Sequence, residues 1–467
     1  MLYDVIVLGA GPVGENVADR TAAAGLRTAI IESELAGGEC SYWACDPSKA
    51  LLRPALLHAE AARFPGLAVA PLDTAAVLAH RDRMASDWDD SAQVAWLKTA
   101  GIDLIRGHAR ITGPRRVTVG PRTLTARHAV AICTGTRAAL LPDLAAVRPW
   151  TSREATSART VPARLAILGG GVVAVEMATA WQALGAQVTA IVREDRLLPR
   201  VEPFAAALVA DRLRAAGADL RFTTGITHAE RTDTLTLTLT DGTHLVADEL
   251  LLATGRTPRT DDIGLETIGL HPGQWLDTDD TYAVPGTDWL YAVGDVNHRA
   301  LLTHQGKYQA RIAGTLIADR ALGRAVDTAS WGTHAGTADT VAVPQVVFTD
   351  PEIASVGLTS DDAARAGRTV DVVDYDLSRV VGAQQYLPGY RGQARLLIDP
   401  HQRTIVGATF AGPGVAELLH SATIAITGQV PIDRLWHAVP PFPTISEVWL
   451  RLLETYRDQR SASAPAR

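Results

Sequence analysis

The chain has 467 residues, 47% hydrophobic and 20% charged, with a formal net charge of −7. That length allows two or three domains with separate cores, and without blocks of like charge nucleic acid is not expected as a partner. No stretch approaches the roughly 20 apolar residues of a membrane span, and three cysteines are too few for a secreted disulfide scaffold; a cytoplasmic protein with no membrane association is expected.

The chain opens on "YDVIVLGAGPVGENVADRTAAAGLRTAIIES". It lacks a basic lead and a small-residue cleavage site, so it reads as a buried strand rather than a signal peptide. An apolar strand, a glycine turn, an Ala-rich helix and a second apolar strand make a βαβ unit. Gly9 makes the turn, Gly11 lets backbone approach a pyrophosphate, and Gly14 packs helix on strand, with Pro12 part of the same cofactor-binding loop. Glu32 ends the second strand, placed to accept from a ribose hydroxyl.

"GGECSYWACDPSKALL" follows, with Cys40 and Cys45 separated by four residues. Zinc is disfavoured, because no second Cys pair or close His pair accompanies them. Four intervening residues on a helical turn can bring the sulfurs within bonding range, which favours a redox pair over two unrelated packing cysteines. Asp46 and Pro47 read as a helix start, with Asp46 as the cap.

Further on, "LDTAAVLAHRDRMASDWDDSAQVAWLKTAG" reads as a long helix or helix pair, and "RRVTVGPRTLTARHAVAICTGTRA" as strands returning to the first sheet. "ARLAILGGGVVAVEMATAWQALGAQVTAIVRE" then repeats the βαβ pattern with Gly169 and Gly171. No carboxylate stands at Val192, where a ribose-binding acid is expected. Arg193 follows it, with Arg196 and Arg200 nearby. Cations there suit a 2′-phosphate, so NADPH is favoured, with NADH possible. "RTDTLTLTLTDGTHLVADELLLATGR" reads as a period-two strand, an Asp-Gly hairpin turn and a buried strand. From Ala342 the texture becomes α+β, and the polar tail after Tyr456 is expected to fray.

With these motifs in order, the chain resembles the flavoprotein disulfide reductases, the pyridine nucleotide-disulfide oxidoreductases that include lipoamide dehydrogenase, glutathione reductase and mercuric reductase. The resemblance rests on "GGECSYWACDPSKALL", the loop at 9–14, "CTGT" at 133–136, "GGGVVAVE" at 169–176 and "LLATGRTP" at 251–258. It continues through "LYAVGDV" at 290–296, "PQVVFTDPEIASVGLT" at 344–359 and "PFPTISE" at 441–447. The expected fold class is therefore α/β, two Rossmann-like dinucleotide-binding domains plus a C-terminal α+β dimerisation domain. An FAD-binding domain would span 1–150, an NAD(P)H domain 151–280, a returning FAD segment 281–340 and an interface domain 341–467.

The resemblance also implies roles. Cys45 would be the flavin-proximal sulfur and Cys40 the interchange thiol. Lys49 would lie near the flavin and pair with Glu176. Gly38, Thr134, Gly135, Gly255, Arg256 and Gly294 would line the nucleotide sites, and Asp295 would hold the FAD ribityl chain. The helix opening at Leu302, Thr303 and His304 would direct its positive end at the flavin. Cys133 would be packing. Electrons from NADPH would reach the disulfide through FAD and leave through Cys40 to a small-molecule acceptor, in a homodimer whose partner completes each site.

Two positions depart from the family pattern. Its disulfide reductases carry a His immediately before Pro-Thr in the last motif, steered by a Glu. This chain has Phe442, keeps Glu447, and has His437 five residues upstream. A phenyl ring moves no proton, so an acceptor that needs no His-assisted thiol protonation is expected: a quinone, another electrophile, or a specialised thiol or disulfide intermediate. Phe at this place is shared with 2-ketopropyl coenzyme M oxidoreductase/carboxylase, which makes carbon–sulfur cleavage an alternative. A redox-sensing flavoprotein with vestigial chemistry is another. The second departure is Asp46, where the family has an aliphatic residue; facing Cys45, it would raise the thiol pKa.

Overall fold

The computed structural model describes residues 1–463, which fall into two compact units built from interleaved stretches of chain. The first takes residues 1–47, 81–139 and 255–340; the second takes 48–80, 140–254 and 341 onward.

The first unit begins with β1 (Leu2–Leu8), α1 (Pro12–Ala23) and β2 (Thr28–Glu32). β1 is buried from Val5 to Leu8 and pairs in parallel with β2. An unbroken apolar run of this kind marks a strand covered on both faces. Val5 and Val7 belong to one core layer, with Val17, Ile30 and Leu316; Ile6 and Leu8 belong to another, with Ile31 and Val130. Alternate residues thus serve opposite faces of the sheet.

Next come α2 (Gly38–Trp43), α3 (Cys45–Arg63), α4 (Thr74–Met84) and α5 (Ser91–Thr99). The region expected as one helix or two is two, broken where Ser86, Asp87 and Trp88 take positive φ. β3 (Asp103–Arg106), β4 (Ala109–Gly113), β5 (Arg116–Val119) and β6 (Arg122–Ile132) complete a sheet ordered β3-β2-β1-β6-β5-β4, and strand Leu290–Ala292 pairs with β6.

In the second unit, strand Arg164–Leu168, helix Val172–Ala183 and strand Gln187–Ile191 repeat the opening pattern. They join Asp219–Arg221 and Glu249–Leu252 in a four-stranded parallel sheet. The alternating Thr/Leu run forms Leu235–Leu239, with Leu235, Leu237 and Leu239 buried; it turns at Asp241-Gly242 into His244–Ala247. Gly242 takes φ +82°, which the tight turn requires. Five antiparallel strands between Pro344 and Gly412 form the last sheet.

The chain leaves the first unit after Ala139 and returns at Gly255, where strand Arg256–Pro258 pairs with Thr136–Ala138. Two details differ from expectation. Asp46 lies within the first turn of α3, which already begins at Cys45, rather than at its cap. The polar tail is helical, in Val448–Ser463; residues 464–467 of it lie outside the described residues. Among the described residues no helix is long and apolar enough to cross a membrane.

Candidate redox-active site

Cys40 lies on α2, and Cys45 opens α3. The non-helical residue between them, Ala44 (φ −130°, ψ −95°), ends one helix and lets the next start at once. This break brings the two Cα atoms to 4.9 Å, and the sulfurs form a disulfide. Gly38 takes φ +64°, and a Cβ there would stand 2.5 Å from the Gly11 Cα. Glycine at position 38 lets the disulfide helix abut the first glycine loop.

Thr303 opens the helix Thr303–Ala321, and its hydroxyl lies 3.2 Å from both the Cys40 and Cys45 Sγ atoms. Leu302 stands at the N-cap of that helix with no side-chain hydrogen bond to it. Beside Cys40, Glu39 accepts from Arg259 at 3.2 Å and lies 3.7 Å from Arg256.

The first glycine loop has the form of a phosphate cradle. A Cβ on Gly9 (φ +98°) would meet the Cys133 carbonyl oxygen at 2.5 Å, and one on Gly14 would collide with the Gly9 carbonyl. Gly11 caps α1 with no side-chain hydrogen bond, and Pro12 stands at its start. Helix amides there favour an anion. At the end of β2, Glu32 accepts from the Ala10 and Glu34 amides, both at 2.8 Å. Asp295 follows Gly294 (φ +84°) and accepts from Thr136 at 2.8 Å; burial pushes its carboxyl up, opposed by that hydrogen bond and by Arg256. Thr136 in turn accepts from Arg256 at 2.6 Å. The buried Thr134 hydroxyl has no hydrogen-bond partner among the described residues, and Gly135 accepts from the Arg259 amide. Open helix amides, an orphan hydroxyl and two carboxylates fit an FAD. Cys133 is buried and unpaired, and burial pushes its thiol up, as packing requires.

In the second unit, Gly169 takes φ +129° where a Cβ would collide with the Ala253 carbonyl, and Gly171 caps its helix without a side-chain bond. Val192 is fully buried, while the side chain of Arg193 is 90% exposed and, among the described residues, pairs only with neighbouring Glu194, at 3.0 Å. Arg196 is engaged, bonding to Asp361 at 2.9 Å and the Pro199 carbonyl at 3.1 Å. Lys49 and Glu176 pair at 2.9 Å; Glu176 also accepts from the Phe348 amide at 3.0 Å, and Lys49 lies over the Phe348 ring. At the C-terminal end Phe442 is 71% exposed, and His437 also lies on the surface. Glu447 accepts from Arg451 at 2.5 Å through one oxygen; the other is buried with no partner among the described residues.

Two βαβ nucleotide units, with a cysteine pair closed against the first glycine loop, define a nucleotide-dependent disulfide oxidoreductase. The family described as pyridine nucleotide-disulphide oxidoreductase matches residues 3–312, and its dimerisation domain matches 343–452; the chain belongs to this family. A dihydrolipoyl dehydrogenase of Haloferax volcanii is 31% identical over 97% of this chain and 95% of its own length. A mercuric reductase of Staphylococcus aureus is 28% identical over 95% of this chain and 81% of its own length. In fold, the chain is similar to the HOCl-induced flavoprotein disulfide reductase RclA of Escherichia coli, with a TM-score of 0.83, 23% identity, and 97% and 99% of the two chains covered. The protein is thus a flavoprotein oxidoreductase of a family that uses FAD with NAD(P)H, and its dimerisation domain supports a homodimer.

Sequence reasoning did not find the contact of Thr303 with both sulfurs, nor the Thr136 bridge between Asp295 and Arg256. Both join residues more than 100 positions apart, and no local pattern marks them.

Proposed function

We propose that the protein passes electrons from NADPH, through FAD and the Cys40–Cys45 disulfide, to a small-molecule acceptor without imidazole acid–base help. Phe442 carries this reading: it stands where the family's disulfide reductases have His, and the Glu447 carboxylate that would steer an imidazole is turned to Arg451. When bound, FAD supplies two-electron transfer between a nicotinamide and the disulfide. The chain's own residues do the rest. Opening the disulfide takes two electrons and one proton and leaves one thiol and one thiolate. Cys40 then acts as the interchange sulfur and Cys45 as the inner one. The Thr303 hydroxyl, within reach of both, donates to whichever carries charge. Lys49, held by Glu176 one turn along α3 from Cys45, supplies a fixed cation.

An acceptor that is itself a quinone, an electrophile or a specialised thiol or disulfide intermediate takes the electrons without a positioned imidazolium. A lipoamide-type disulfide needs its leaving thiolate protonated, and loss of a general acid costs about 10²–10⁴-fold. The expected result is that Phe442→His raises steady-state turnover of lipoamide at least tenfold and adds a titration near the imidazole range. Equal turnover in wild type and variant, with an unchanged pH profile, would sink the reading.

The nucleotide preference rests on Arg193, exposed beside the buried Val192 and, among the described residues, without a distant partner that competes for a 2′-phosphate. The ratio of kcat/KM for NADPH over NADH is expected to exceed one and to fall in Arg193→Ala. A ratio below one in wild type overturns it.

A further inference from the structure

Reduction puts a negative charge on a half-buried sulfur pair, and Phe442 offers no cation to meet it. The elements against the disulfide do. Lys307 stands four residues after Thr303 on the same helix, and residues four apart share a helix face. Thr303 touches both sulfurs, so the face that carries Lys307 is the one turned to the cysteine pair. Lys307 is half-buried and, among the described residues, makes no ion pair within 4.0 Å. Its charge nevertheless acts on two carboxyls. One is Asp46, the residue after Cys45, and the other is Glu15 in the first turn of α1. Glu15 is 9% exposed, and its Oε1 has no hydrogen-bond partner among the described residues. A lysine whose charge reaches two carboxylates and that bonds to neither is left with charge to give to a third anion.

We propose that Lys307 is the positioning cation of this site, holding the thiolate formed when the Cys40–Cys45 disulfide opens, with Asp46 and Glu15 as the carboxylates that share its charge. Two electrons and one proton enter, the S–S bond breaks, and the ammonium group faces the sulfur that stays unprotonated. The proposal rests on the reading of Phe442 above, because a site with an imidazolium would not need it. Burial raises both carboxyls and Lys307 lowers them, so each is poised to lose negative charge as a proton arrives. Glu32 on β2 and Tyr42 on α2 also face Glu15, and Thr303 is the polar neighbour on the Lys307 helix.

The test uses purified holoenzyme reduced with excess dithiothreitol and alkylated with iodoacetamide across a pH series, with Cys40 and Cys45 followed by mass spectrometry. Lys307→Met is expected to move the lower apparent thiol pKa up by about one unit, so that alkylation near pH 6.5 falls roughly tenfold, while Lys307→Arg restores the wild-type profile. Asp46→Asn is expected to move the same pKa down, which keeps the proposal testable should Lys307→Met fail to fold. An unchanged profile in Lys307→Met, or in Asp46→Asn if the first does not fold, overturns the role of Lys307. Failure of the broader reading looks different: Phe442→His would then leave lipoamide turnover unchanged while the Lys307→Met shift persists.

Discussion

Glu15 sits in the first turn of α1, buried, beside a loop shaped for phosphate. Burial raises its carboxyl to about 7, with Glu32 adding to the rise and Lys307 opposing it. The folded chain therefore holds this proton more tightly than the unfolded chain does. Stability from this group is present at acid pH and is lost as pH rises through about 7, to a total of about 3 kcal/mol. Glu15→Gln keeps the shape and removes the titration. Its Tm is expected to exceed that of wild type at pH 8 and to converge with it near pH 5; a constant difference across that range would show that Glu15 does not titrate there. Nothing in the sequence flagged this residue, because a Glu at the start of a helix is ordinary; only the fold shows that it is enclosed.

The break at Ala44 and the approach of Gly38 to Gly11 make the site at the level of elements. α2 and α3 are separate helices end to end, and the disulfide closes across their junction. Gly38→Ala would put a Cβ against backbone in a left-handed conformation, and neither side can yield cheaply. Purified Gly38→Ala is expected to lose bound flavin and to unfold at lower temperature, by about 2–4 kcal/mol; full flavin content and wild-type Tm would mean that the two loops separate easily. The βαβ repeats and the Thr/Leu hairpin were legible in the sequence, since their apolar periods and glycine turns are local signals. The helix start at Cys45 was not, because Asp-Pro imitates a cap and the disulfide junction overrides it.

On the scale of the molecule, the dimerisation segment leaves Val439 85% exposed and Phe442 71% exposed, with Ile424 also uncovered. Large apolar side chains bare in one segment mark a surface that another chain covers, in keeping with the homodimer that this domain supports. The sequence by itself determined the two nucleotide-binding units and the cysteine pair, because each is written in short stretches of fixed spacing. The tertiary structure alone decided that Thr303 reaches both sulfurs, that Thr136 joins Asp295 to Arg256, that Arg196 is taken by Asp361, and that the charge of Lys307 reaches Asp46 and Glu15. The reason is physical. Local spacing sets which faces a helix or strand presents, whereas charge–charge contacts depend on which distant faces the buried core brings together.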